Sequence, residues 1–209
     1  MNINNGSIIF DDAGTPGAES KSSFLHDSRK SWCAVVIPDS VATQIDTALS
    51  DILSIIKTDY GIDELHFTDI HGGRKKWKNV ELSDRIEIID YITNIIFIFN
   101  LPVFYQTISN SFFSDHPSFV PPKFDKKKVW WDFTNLSHLS LYFLCIKVSH
   151  QLKEWKDESL EDFSNPFLAS IDEGLVKPGV EINLHNFKNE IKDGNLRFER
   201  SVDNPRLQL

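Results

Sequence analysis

Three acidic stretches stand where apolar runs of this chain meet polar residues. Ile8-Ile9-Phe10 runs into Asp11-Asp12-Ala13-Gly14, and Phe167-Leu168-Ala169-Ser170-Ile171 runs into Asp172-Glu173-Gly174. Between them lies Glu64-Leu65-His66-Phe67. A carboxylate that follows an apolar strand is held in position by the strand and left at the solvent edge of the sheet. Several such groups brought together repel, and burial would raise their pKa values. A cation removes that cost. Hard divalent ions take oxygen ligands, and two-metal phosphoryl-transfer sites gather several carboxylates around the ions. Asp11, Glu64 and Asp172 are therefore the candidate ligands of one or two Mg²⁺ or Mn²⁺ ions, with Asp12 and Glu173 beside them. His66 is a candidate to orient a water or pass a proton to a leaving group near neutral pH. The competing reading is that Asp after a strand is a common turn or cap residue, and that Asp63-Glu64 after Gly61 simply opens a helical turn.

The same residues carry a resemblance. Asp11-Asp12-Ala13-Gly14 resembles the Asp-Glu-Ser-Gly motif that ends the first strand of domain-of-unknown-function family 3800. Glu64-Leu65-His66 resembles its Glu-Leu-His motif, and Ile171-Asp172-Glu173 its later hydrophobic-Asp-Glu strand end. Phe198-Glu199-Arg200-Ser201 through Leu207-Gln208-Leu209 is similar to the approach to its Gln-Leu-Ala-Asp helix. The resemblance implies a ribonuclease-H-like fold. It also implies Ala-Asp directly after Gln208-Leu209, opening a final helix. A single domain over 1–209 without that helix is expected to be weakly active or inactive. Its Asn195–Ser201 strand would be uncovered, favouring a homodimer or a partner protein there. Asp12 stands where the family has Glu, and its shorter reach suits support of the site better than direct ligation. Ala13 stands where the family has Ser.

Two basic clusters could meet a polyanion. Arg74-Lys75-Lys76-Trp77-Lys78 and Lys126-Lys127-Lys128-Val129-Trp130-Trp131 both mix cations with aromatics. Cations neutralise phosphates, and aromatics stack on unpaired bases. The alternative is a solvated loop and a helix-entry contact. Arg74, Lys75, Lys76, Trp77, Lys126, Lys127 and Lys128 are thus the candidate nucleic-acid contacts in a chain whose net charge is −8. That charge argues against a protein coated in basic surface. No Lys-Ser/Thr follows a Gly-rich loop, and no Gly-x-Ser-x-Gly elbow occurs, so neither Walker-type phosphate binding nor serine hydrolysis is indicated. The histidines and the two cysteines show no zinc-ligand spacing. Cys33 and Cys145 sit in apolar contexts and read as buried reduced thiols rather than a disulfide. No signal peptide and no membrane-length apolar run is visible, which points to a cytoplasmic protein.

The elements that would position these groups alternate in type. Strands are expected at Gly6–Phe10, Ser31–Ile37, Leu101–Ile108, Phe167–Asp172 and Asn195–Ser201. A helix with Asp39 or Ser40 as N-cap runs through Lys57, with Val41, Ile45, Leu49, Ile52 and Ile56 at helical spacing. Further helices are expected over Leu82–Phe99 and Phe133–Trp155. Thr15–Lys30 and Gly72–Lys78 read as loops, and 109–131 as a long irregular insertion. Strands separated by long helices predict an α/β domain with a mixed central sheet flanked by helices. The combined expectation is a divalent-metal-dependent nuclease or phosphodiesterase. The alternative is a catalytically inactive module of the same fold that binds nucleic acid or protein.

Overall fold

The computed structural model describes residues 6–13, 29–120, 132–155, 168–171, 181–183 and 195–200. It is an α/β structure. Strands β1 (Gly6–Ala13), β2 (Arg29–Pro38), β3 (Val103–Ser109), β4 (Leu168–Ile171), β5 (Glu181–Asn183) and β6 (Asn195–Arg200) form one mixed sheet in the order β3-β2-β1-β4-β6-β5. β2 is antiparallel to β1 and to β3, whereas β4 is parallel to β1 and β6 is parallel to β4.

The two faces of the sheet are set by alternation along the strands. On β2, Trp32, Ala34 and Val36 are buried, whereas Cys33, Val35 and Ile37 between them are only partly so. The first set joins Ile8 and Phe10 of β1 and packs on helix α5 (Leu136–Trp155), around Leu139, Leu144, Cys145 and Val148. Each such fully buried side chain stabilises the fold by roughly 1.5–3 kcal/mol. Trp32 also donates its indole N–H to Ser137 Oγ at 3.2 Å, which satisfies the one polar atom of a buried ring.

The other face takes α1 (Asp39–Tyr60) and α3 (Leu82–Ile98), through Ile45, Ile95 and Leu101 against Val35 and Ile37. α1 starts with no loop. Pro38, still paired with Gly6 in the sheet, occupies the N-cap and makes no side-chain cap bond. Asp39 is thus the first helical residue rather than the cap expected of it, where its charge opposes the helix dipole favourably. Gly61 ends the helix at φ 65°, a conformation open to glycine, with its N–H on Lys57 O. Farther along, Ile52 and Ile56 leave the sheet. They pack with Ile62, Ile70, Trp77, Val80 and Ile88 in a cluster with no strand residue among its buried members. That cluster contains α2 (Phe67–Gly72) and a 3-10 turn (Lys75–Asn79), where a loop was expected over Gly72–Lys78.

The expected 109–131 insertion is only partly irregular. Among its described residues, α4 (Phe112–Asp115) is one helical turn. Phe112 and Phe119 pack against each other and against Phe143 of α5. Residues 121–131 lie outside the described residues, as do 201–209 and so the expectation about a final helix. Cys33 and Cys145 are both free thiols; Cys145 is buried as expected, whereas Cys33 is only half-buried. Among the described residues no helix is long and apolar enough to cross a membrane.

Candidate metal centre

β1 is a central strand, flanked by β2 and β4. Its register fixes what surrounds its C-terminal end. Asp11 stands opposite Cys33, and Asp12 opposite Trp32. Opposed residues share a face, so Asp12 belongs to the α5 face and Asp11 to the face that carries α1 and α3. Those helices cover the Val35–Ile37 end of that face. Toward Asp11 the cover thins: Cys33, Ser31 and Thr107 are half-buried, and Asp11 itself is exposed. Ser31 and Thr107 share a hydrogen bond of 2.8 Å across β2 and β3. The Asp11 carboxylate accepts the Asp12 N–H at 2.8 Å, which fixes its orientation at the strand end. Burial and the Asp11 charge both push the Cys33 thiol above its ordinary pKa, against a smaller opposing effect of the Ala34 backbone N–H.

Asp12 is committed elsewhere. Its carboxylate pairs with Lys30, whose side chain is 8% exposed against 38% for Asp12. Lys30 Nζ also lies over the Trp32 ring, 5.7 Å from its centroid. Burial lowers the Lys30 pKa, and Asp11 acts in the opposite sense. Nothing local in the sequence marks this pair, because Lys30 closes a polar stretch expected to be a loop. It is in fact the second residue of β2, diagonal to Asp12 on the same face. Asp12, expected as a supporting residue of a metal site, instead compensates a buried ammonium.

Glu64 and His66 lie in the connection between Gly61 and α2, held down by Ile62 and Leu65 in the helical cluster. Glu64 Oε1 is 2.9 Å from His66 Nε2, with both side chains largely exposed. At longer range Glu64 acts on Lys75 and helps raise its pKa. Among the described residues no group of three or more His, Cys, Asp or Glu side chains could hold a metal ion. Asp172 and Glu173 lie outside the described residues. The strand that leads to them, β4, ends at Ile171, in parallel register with Phe10, the residue before Asp11.

Two of the four cations in the first basic cluster are paired with carboxylates. Lys75 pairs with the nearly buried Asp69 carboxylate at 2.7 Å, which raises the Lys75 pKa. Lys76 reaches Asp63 and Gly61 O, both at 3.1 Å, and its hydrogen bond lowers the Asp63 pKa. Trp77 is 2% exposed. It is a core residue of the helical cluster rather than the stacking surface expected of it, because the 3-10 turn rolls its indole inward between Ile70 and Val80. Arg74 is exposed at the N-cap of that turn. Lys126, Lys127 and Lys128 lie outside the described residues. Comparison with protein-family models, curated proteins and solved structures finds no match to this chain.

Proposed function

We propose that this chain is a divalent-metal-dependent phosphodiesterase of ribonuclease-H-like type acting on nucleic acid, with Asp11 as the carboxylate that anchors the metal. One observation carries the reading. Two neighbouring parallel strands, β1 and β4, run in register through Phe10 and Ile171, and the sequence continues each with an acidic residue, Asp11 and Asp172. β4 stops beside Phe10 while β1 runs on to Ala13, so Asp11 is the β1 residue at the level where its parallel neighbour gives way, in sequence, to Asp172, a placement that suits a sheet-edge metal site. The donor at this end of β1 is a carboxylate oxygen, the ligand type of a hard cation. Bound Mg²⁺ or Mn²⁺ would supply an activated water and would stabilise charge on the phosphoryl oxygens. The chain's own contribution is positional. β1 holds Asp11 at the uncovered end of the face, and the Lys30–Asp12 pair keeps the second carboxylate on the other face.

The second reading, an inactive binding module, draws support from the Glu64–His66 pair. That pair satisfies Glu64 without a metal. The experiment that decides is Mn²⁺-dependent cleavage of single-stranded and duplex RNA and DNA by the chain and by its Asp11→Asn variant. Metal-dependent cleavage that disappears in Asp11→Asn supports the enzyme. Cleavage that survives in Asp11→Asn removes Asp11 from the site, and no cleavage by the parent chain favours the binding module.

A further inference from the structure

α3 is more apolar on its exposed side than a solvent-facing helix should be. Leu82, Ile86 and Phe97 are 57%, 49% and 84% exposed. Their spacing of four and eleven residues places them on one side of the helix, Thr93 falling between Ile86 and Phe97. Ile88 and Ile95, on a different side, are the buried residues of α3. The apolar stripe is thus additional to the surface that packs the helix onto the fold. An exposed apolar stripe on a protein surface marks an interaction site, and this one is broken only by Thr93.

The surroundings of the stripe say what would fit it. Its outer border carries Glu87 and Asp90, both exposed. Its other border carries Arg85, which does not offset them outward. The Arg85 guanidinium is half-buried and donates to Ile70 O at 2.7 Å, His71 O at 3.0 Å and Val80 O at 3.2 Å. The neighbouring helix α1 adds the exposed Asp59, which with Glu87 and Asp84 surrounds Tyr60, and the exposed Lys57 on the same helix offsets it in part. A second copy of this chain would bring one acidic border against another, and an anionic membrane or nucleic acid would meet the same repulsion.

We propose that the Leu82–Ile86–Phe97 stripe docks an amphipathic helix of another protein, whose apolar seam is flanked by Lys or Arg. The apolar residues contribute the contact area, and the acidic border selects the basic partner and sets its orientation. This surface uses none of the residues assigned to metal or substrate, so it stands or falls separately from the enzymatic reading.

The probe is a labelled helical peptide of Leu and Lys in heptad register, with a matched peptide carrying Glu for Lys. Fluorescence anisotropy is read for the parent chain and for an Ile86→Ser/Phe97→Ser variant. Both replaced residues are exposed, and circular dichroism with a melting curve establishes that the variant stays folded. The expected result is binding of the Lys peptide, no binding of the Glu peptide, and weakening by about tenfold or more in the variant. Failure of the Lys peptide to bind, or equal binding by parent and variant, overturns the proposal. So does binding of both peptides, or a concentration-dependent dimer of the parent chain that the variant abolishes, which would make the occupant a second copy.

Discussion

Asp11 and Asp12 are adjacent and chemically identical, yet the strand gives them different tasks. Alternation turns Asp12 to the α5 face, where Lys30 has little access to water and requires a counter-charge. Asp11 faces the other way and stays exposed. The two partners of the ion pair should therefore respond unequally to removal. Asp12→Asn takes the carboxylate away from a buried ammonium and should cost about 3 kcal/mol of folding stability. Lys30→Met leaves a carboxylate that water can reach and should cost about 1 kcal/mol. Chemical denaturation of both variants checks the order, and a larger loss in Lys30→Met would contradict it. His138 offers a second test at this scale. Its Nδ1 accepts the Asp132 N–H at 3.0 Å, and burial lowers its pKa, against a smaller opposing effect of Asp132. An unfolded histidine takes up its proton near its ordinary pKa of about 6.5. The folded one resists protonation to lower pH. Between those points the unfolded state binds more protons, so this contribution is fully present above 6.5 and is lost as pH falls toward the folded value. Melting temperatures at about pH 7.5 and pH 5 should diverge more in the parent chain than in His138→Gln, which keeps an acceptor but does not titrate. Equal divergence would mean that His138 contributes nothing to the acid sensitivity.

Among the elements, the turn from Gly61 to Val80 departs furthest from its sequence expectation. Arg74-Lys75-Lys76-Trp77-Lys78 looks like a solvated basic loop because one-dimensional composition does not show where a lone aromatic points. The turn is a short 3-10 helix whose indole fills the helical cluster and whose lysines answer Asp69 and Asp63. Trp77→Ala should accordingly cost roughly 3–5 kcal/mol. Lys76→Ala, whose ion pair is exposed on both sides, should cost under about 1 kcal/mol. Denaturant titration separates these outcomes, and a neutral Trp77→Ala would show that the indole is not a core residue. The longer elements were easier to read. Ile45, Ile52 and Ile56 announce α1 by spacing alone, and Pro38 marks its start. α2 was not foreseen, since six residues give too short a window for periodicity. Edge protection was also hidden. Val36 N bonds Pro102 O at 3.0 Å, so the antiparallel alternation directs the Tyr105 carbonyl outward from β3. Lys147 of α5 donates to that carbonyl at 3.0 Å, which blunts the sheet edge. Such a contact joins residues far apart in the chain and leaves no local pattern.

The whole molecule is organised around a sheet packed on α5 and a helical cluster that grows away from its other face. The α/β class and the mixed sheet follow from strands separated by long helices, and both were legible from the apolar runs. The candidate site was legible only in part. Ile8 to Phe10 does lead into Asp11 on a central strand, but that strand runs on to Ala13 rather than stopping at Phe10 as expected. The partition of the acids between two faces and two clusters depends on strand register, which the sequence does not display. Asp11 therefore carries the weight of the functional account. The most direct test is calorimetric titration of Mn²⁺ into the parent chain and into Asp11→Asn, with melting curves of both in chelator. The account predicts that the metal-free proteins melt alike, that the parent binds Mn²⁺, and that the variant binds about tenfold or more weakly. Indistinguishable titrations, or an Asp11→Asn chain that is already unfolded without metal, would contradict it and return Asp11 to the role of a strand-ending turn residue.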